Sequence, residues 1–310
     1  MNLRRISGPI GGLLGITLPL WIAVPIVSYV AEIILVFLIM VATIEGRAWI
    51  PLAGAGAGLI LGGLPGVMPL PMGFLLPLWL KAVMPALILG LLMRSGWHAG
   101  RSFVAASLMT AALIGVVYFQ AATLLNNEID LMTRSLDGVV TTALSSQGYG
   151  AETISELIDK VQITAELIKR LLPGILVMSG LTQLFVGFLL LERYCTRADR
   201  YFPGFGPFIY WKIPDRVLYL LGIVLTARLT LEGTRVAADN LLFVLAFCYA
   251  VGGLALIEHL LRRLQLPIMI KIVFYLGLFL MQVPGLILTS AAGLFDSYFD
   301  FRRVRAHTLG

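Results

Sequence analysis

Charged residues are scarce in this chain. Asp, Glu, Lys and Arg make up 13% of its 310 residues, about half of the roughly 25% found in ordinary soluble domains, while hydrophobic residues reach 59%. A soluble core of this length has no room for so much apolar surface, so the excess has to face lipid. Cysteine and histidine are equally sparse. The two cysteines, Cys195 and Cys248, sit in different contexts, and His98, His259 and His307 are scattered. Neither a disulfide framework nor a metal-ligand spacing can be built from them, and none of the histidines has a serine or cysteine beside it to activate. The sequence therefore points to no cofactor, no bound metal and no enzymatic activity. A net charge of +6 does not indicate nucleic acid, because the basic residues fall in short clusters between apolar runs, as in the cytoplasmic loops of membrane proteins.

One lack decides the reading of the glycine-dense stretch "WIPLAGAGAGLILGGLPGVMPLPMGF" at 49–74. A phosphate-binding loop needs Lys and Ser or Thr after its last glycine, and a dinucleotide fingerprint needs a third glycine three residues beyond the second; Leu59 and Leu61 stand there instead. Gly54, Gly58 and Gly62 recur at i, i+4 and i+8, which suits close approach of another helix backbone inside a membrane. They are read as packing residues.

Apolar runs long enough to cross a hydrocarbon core, roughly 20 residues, lie near 9–27, 29–45, 48–66, 74–93, 102–124, 170–191, 215–233, 240–258 and 268–293. The first two are separated only by the turn that Pro19 and Pro25 supply, since residues 8–44 contain no charge but Glu32. Arg4 and Arg5 before the first run imitate an export signal, but no small-residue cleavage site follows, so it reads as an uncleaved span. The expected fold is all-α, a polytopic transmembrane helical bundle of eight or nine spans in a bacterial cytoplasmic membrane. Three regions follow: 1–124 of transmembrane helices, 125–169 as an amphipathic helical hairpin outside the membrane, and 170–310 of further transmembrane helices.

Basic loops alternate along the chain, which places 94–101 and 193–216 on the cytoplasmic side. The segment 125–166 has seven acidic residues against Arg134 and Lys160, and belongs on the other side. Ile129, Met132, Leu136, Val139 and Val140 keep helical spacing there, "QGYG" at 147–150 interrupts it, and Ile154, Leu157, Ile158, Val161 and Ile168 resume it. Either the two apolar stripes pack on one another, or they form a docking surface or an interfacial helix. Nine spans leave the basic tail "FDSYFDFRRVR" outside; a break at Pro284 and Gly285 would return it inside.

Ionisable residues within spans are costly and therefore informative. Glu32 and Lys81 lie at similar depth in the outer half of their spans, and either line one polar pocket or sit at the interface. Arg228, Glu232, Arg235 and Asp239 form a second cluster, with Arg228 and Glu232 spaced as an i, i+4 pair. Gln120, Gln183, Asn240 and Gln282 are read first as hydrogen-bond partners between helices. The candidate ligand-binding set is Glu32, Lys81, Arg228, Glu232 and Asn240.

The stretches "LPLWLKAVMPALILGLLMRSG", "LLPGILVMSG", "IPDRVLYLLGIVL", "DNLLFVLAFCYAVGGLALIEHLLRR" and "GLFDSYFDFRR" together resemble the YybS-like bacterial membrane proteins over essentially the whole chain. The first spans of that family are in turn distantly similar to the S components of energy-coupling-factor transporters. That resemblance implies capture of a small solute from outside, with energy supplied by a separate ATPase partner, because this chain has no nucleotide motif of its own. The competing expectation is a scaffold or regulatory subunit acting through the 125–169 hairpin.

Overall fold

The computed structural model describes residues 25–47, 49, 53, 72–199, 202, 204–281 and 283–302, with side chains starting at Tyr29 in the first stretch and at Ala82 in the 72–199 stretch, and without that of Phe279. Among these residues the chain is helical, with no strand. The helices are α1 (Pro25–Ile44), α2 (Met72–Arg94), α3 (Ala99–Ser146), α4 (Ala151–Arg197), α5 (Asp215–Thr230), α6 (Arg235–Arg263), α7 (Ile268–Leu280) and α8 (Val283–Phe299). They fall into two compact units that divide at Gly204 and Phe205. The packing glycines expected at 54, 58 and 62, and the spans at 9–27 and 48–66, lie outside the described residues.

Among the described residues three helices are long and apolar enough to cross a membrane: α3, α4, and α6 together with the turn before it. Helices α7 and α8 make a fourth such element if they count as one span, bent by 112° at their junction. The break falls at Met281, just ahead of the expected Pro284. Pro284 sits in the first turn of α8, where its missing N–H costs nothing, and Gly285 lets that turn lie against the Leu278 carbonyl, 2.3 Å from where a Cβ would stand. Helix α5 has 16 residues, about 24 Å of rise, less than a full crossing.

In the first unit α1, α2, α3 and α4 enclose a core of Leu35, Ile39, Leu89, Ala106, Leu184 and Phe188, each at most 2% exposed. Phe188 meets Phe103 edge-on at 6.0 Å. Small residues set the helix spacings. A Cβ on Gly187 would fall 2.8 Å from Val36, one on Gly180 2.7 Å from Ile114, and one on Gly90 2.8 Å from Thr43. In the second unit α6 and α8 cross backbone to backbone at Gly253 and Gly293, where the Ser290 hydroxyl donates 2.7 Å to the Ala246 carbonyl.

The two longest helices contain 48 and 47 residues. At 1.5 Å per residue each is about 70 Å long, more than twice the roughly 30 Å of a hydrocarbon core. The break expected at "QGYG" is the turn between them. Gly148 has φ +80°, its N–H bonds the Ser145 carbonyl and Tyr149 N–H reaches back to Leu144, which closes the last turn of α3 with a residue free to be left-handed. The same ending closes α1 at Gly46 and α2 at Gly96.

On the way to that turn, Asn126, Asp130, Thr133, Asp137, Val140 and Leu144 are half-buried along one face of α3, the face from which Asp130 and Asp137 reach α4. Lys169 bridges to Asp130 at 2.6 Å, and the Gln162 amide donates to Asp137 at 3.5 Å. The hydrogen bond from Lys169 to Asp130, joined by Glu166, holds its ammonium above the usual lysine range. The seam is thus more polar than two facing apolar stripes would make it. Ile154, Ile158 and Val161 do turn toward it, whereas Met132, Leu136, Val139 and Ile168 stay 41–64% exposed.

Candidate functional site

A polar group is set into the apolar interior of the first unit, between α1 and α4. Gln183, 2% exposed, donates from its side-chain amide to a carboxylate oxygen of Glu32. One turn away the Tyr29 hydroxyl donates to the Ser179 backbone carbonyl at 3.5 Å, with the Thr182 hydroxyl and the Glu32 carboxylate as electrostatic neighbours. Tyr29 and Glu32 are i, i+3 on α1 and Ser179, Thr182 and Gln183 share one face of α4, so two regular helices present all five groups to each other. The reading of Gln183 as an interhelical hydrogen-bond partner holds here. Removing it by Gln183→Leu is expected to lower stability by about 1–3 kcal/mol, the cost of taking a donor from a half-buried charged acceptor, with Glu32→Gln milder; detergent-solubilised thermal denaturation measures both.

Lys81 can be placed by backbone level only. Gly90 abuts Thr43, and the Arg94 guanidinium lies 3.3 Å from where a Cβ on Gly46 would stand. Both contacts join residues 47 or 48 apart in sequence, so α1 and α2 run parallel in one register. Lys81 is then level with Ile33 and Ile34, within about 3 Å along the axis of Glu32 at 1.5 Å per residue. Its side chain lies outside the described residues.

Arg228, Glu232 and Asn240 belong to the second unit. Helix α5 stops at Thr230 and the chain turns through a short 3₁₀ segment at Glu232–Thr234, so the i, i+4 spacing of Arg228 and Glu232 no longer keeps them on one helix face. The pairs are exchanged: Arg228 bonds Asp239 of α6, and Glu232 faces Arg235 at 3.4 Å with both side chains more than half exposed. Asn240 donates to the Val236 carbonyl of its own helix at 2.8 Å.

The sequence reading missed the most buried charges described. The Arg302 guanidinium bonds Asp296 at 2.6 and 3.0 Å and donates 2.7 Å to the carbonyls of Ile209 and Trp211; the two side chains are 1% and 2% exposed. Lys212 bridges to Asp300 at 2.9 Å nearby. An acid amid the apolar "GLFDSYF" was the available signal, but its partner lies beyond the helix end. Among the described residues no three His, Cys, Asp or Glu come together as a metal site.

Long apolar helices and a scarcity of charge are what a membrane protein requires. Residues 13–297 match the family described as "Predicted membrane protein (DUF2232)". The chain belongs to that family. As a DUF2232 member it is a predicted membrane protein, and its apolar helices account for its hydrophobic composition. No match was found among curated proteins or among solved structures.

Proposed function

We propose that this DUF2232 protein is a membrane-anchored interaction subunit whose working surface is the far half of the α3–α4 hairpin, beyond the reach of the bilayer. What supports this reading is apolar exposure on the part of the hairpin beyond the spans expected at 102–124 and 170–191. Met132 and Val139 are 64% and 63% exposed, and Ile163 and Leu167 70% and 54%, on helices more than twice the thickness of a hydrocarbon core. Such residues on a solvated segment mark an association surface. The protein sits in a bacterial cytoplasmic membrane, with the acidic hairpin on the side opposite the basic loops. It needs no catalytic step, cofactor or metal.

Thiol labelling tests the placement. In a background lacking Cys195 and Cys248, Ser146→Cys should react with a membrane-impermeant maleimide on intact cells and Arg101→Cys should not. Protection of Ser146→Cys on intact cells would put the hairpin inside and reverse the topology. Replacing residues 127–165 by a short polar linker should abolish any partner recovered by cross-linking and leave the helical bundle assembled.

A second reading has its own support. The Tyr29, Glu32 and Gln183 group sets a carboxylate, an amide and a hydroxyl together. Glu32 is level with the Lys81 backbone, the charges of these two residues would suit a zwitterionic or anionic solute, and the resemblance to S components implies capture of a small solute. That role would require an ATPase partner. It predicts that free amino acids or monocarboxylates raise the thermal midpoint of the wild-type chain and leave Glu32→Gln/Lys81→Ala unmoved; no shift in the wild type removes this reading.

A further inference from the structure

We infer that the exposed face of α3 is the contact through which two copies of this chain pair. This rests on the hairpin reading above and names its partner. The residues are Leu125, Ile129, Met132, Leu136, Val139 and Ala143, separated alternately by four and three positions. That alternation is the period of a coiled-coil seam rather than of a helix lying on a flat surface. All six are apolar. Leu125 and Ile129 are half-buried near the bundle, and from Met132 outward the stripe is open, with Leu136 at 50%.

The stripe is not the one that joins α3 to α4. That seam lies one position further along, at Asn126, Asp130, Thr133 and Asp137, and it leaves oxygens of Asn126 and Asp137 buried without a hydrogen-bond partner. The helix thus spends polar residues on its neighbour within the chain and keeps its continuous apolar row for something else. Burial of a heptad row requires a second helix of matching period.

Charge and geometry identify that helix as its own copy. Both copies are anchored in one membrane, so their hairpins project the same way, and a two-fold axis along the membrane normal brings the same residues of α3 face to face, parallel and in register. In that register Glu128, Ser135 and Thr142 flank the stripe on the side away from α4, and Asn126, Thr133 and Val140 flank it on the side already turned toward α4, so no two like charges oppose each other across the axis. Asp130 and Asp137 lie toward α4, where Lys169 and Gln162 already engage them. A surface so acidic elsewhere would otherwise repel its copy.

The test uses the full-length chain in native membrane vesicles, with Cys195 and Cys248 replaced by alanine and one cysteine introduced at a time. Met132→Cys and Val139→Cys face the axis, where Cα separations in a parallel pair suit a disulfide, and should form covalent dimer at least about tenfold more than Arg134→Cys on the opposite face. With one thiol per chain, any disulfide formed is between copies. Equal cross-linking at all three positions, or none at 132 and 139, overturns the proposal, including the case in which α3 rotates to place the stripe against its own α4. A photoreactive p-benzoylphenylalanine at Leu136 separates this from the hairpin reading. An adduct of twice the chain mass supports self-pairing. An adduct of another mass without disulfide dimers overturns self-pairing and leaves a different partner on the same face. No adduct and no disulfide overturn both.

Discussion

Arg302→Met is expected to destabilise the second unit by about 3–5 kcal/mol, because it removes one partner of a fully buried ion pair and leaves the other charged. Asp296 would lose both bonds from the guanidinium, and one of its oxygens is already buried without a hydrogen-bond partner. The carbonyls of Ile209 and Trp211 would lose their donor at the same time. Amide exchange should rise first in residues 205–214, which Arg302 fastens to the end of α8, while the Lys212–Asp300 bridge delays complete release. The double variant Asp296→Leu/Arg302→Met should recover much of the loss, since an apolar pair of similar volume leaves no stranded charge. Equal midpoints for wild type and Arg302→Met in detergent denaturation would mean that the pair contributes nothing to the fold.

The second large effect is expected at the crossing of α6 and α8. A methyl group on Gly253 would stand 1.8 Å from the Thr289 carbonyl oxygen, and one on Gly293 1.9 Å from that of Tyr249. Both obstacles are backbone, so no rotamer change relieves them and the helices must separate. Gly253→Ala and Gly293→Ala should each cost about 1–3 kcal/mol or more, and the larger Gly293→Val should disperse the unit. Gly222→Ala is the control. Nothing lies within 4 Å of its added methyl, and alanine in place of a helical glycine adds up to about 1 kcal/mol of helix propensity, so this variant should match or exceed the wild type in thermal midpoint. If all three alanine variants behave alike, close approach does not hold the crossing together.

These two sites show where the sequence was legible. Spacing within one helix can be read directly, so the apolar helices and the break at "QGYG" were visible. Gly54, Gly58 and Gly62 drew attention because they repeat along a single face, whereas Gly253 and Gly293 meet across two helices forty residues apart, and no periodicity connects them. The same limit hid Asp296 and Arg302, which are six residues apart with a helix end between them. It also misdirected the pairing of Arg228 with Glu232, because an i, i+4 rule presumes a helix that here stops at Thr230. In the hairpin, hydrophobic periodicity identified the apolar row on α3 but not which neighbour it faces. Seam geometry depends on how the arms leave the bundle, and Gly180 sets that by admitting Thr110 and Ile114 against the α4 backbone.

Helix α3 has a mechanical consequence of its own. It is one unbroken hydrogen-bonded rod from Ala99 to Ser146, and an intact helix resists twisting about its axis far more than a loop does. Val139 and Thr110 are thus joined by about 43 Å of continuous helix at 1.5 Å per residue, and at its root the Thr110 and Ile114 side chains bear on Gly180. A load taken at the far end reaches that contact along one stiff element rather than through a loop.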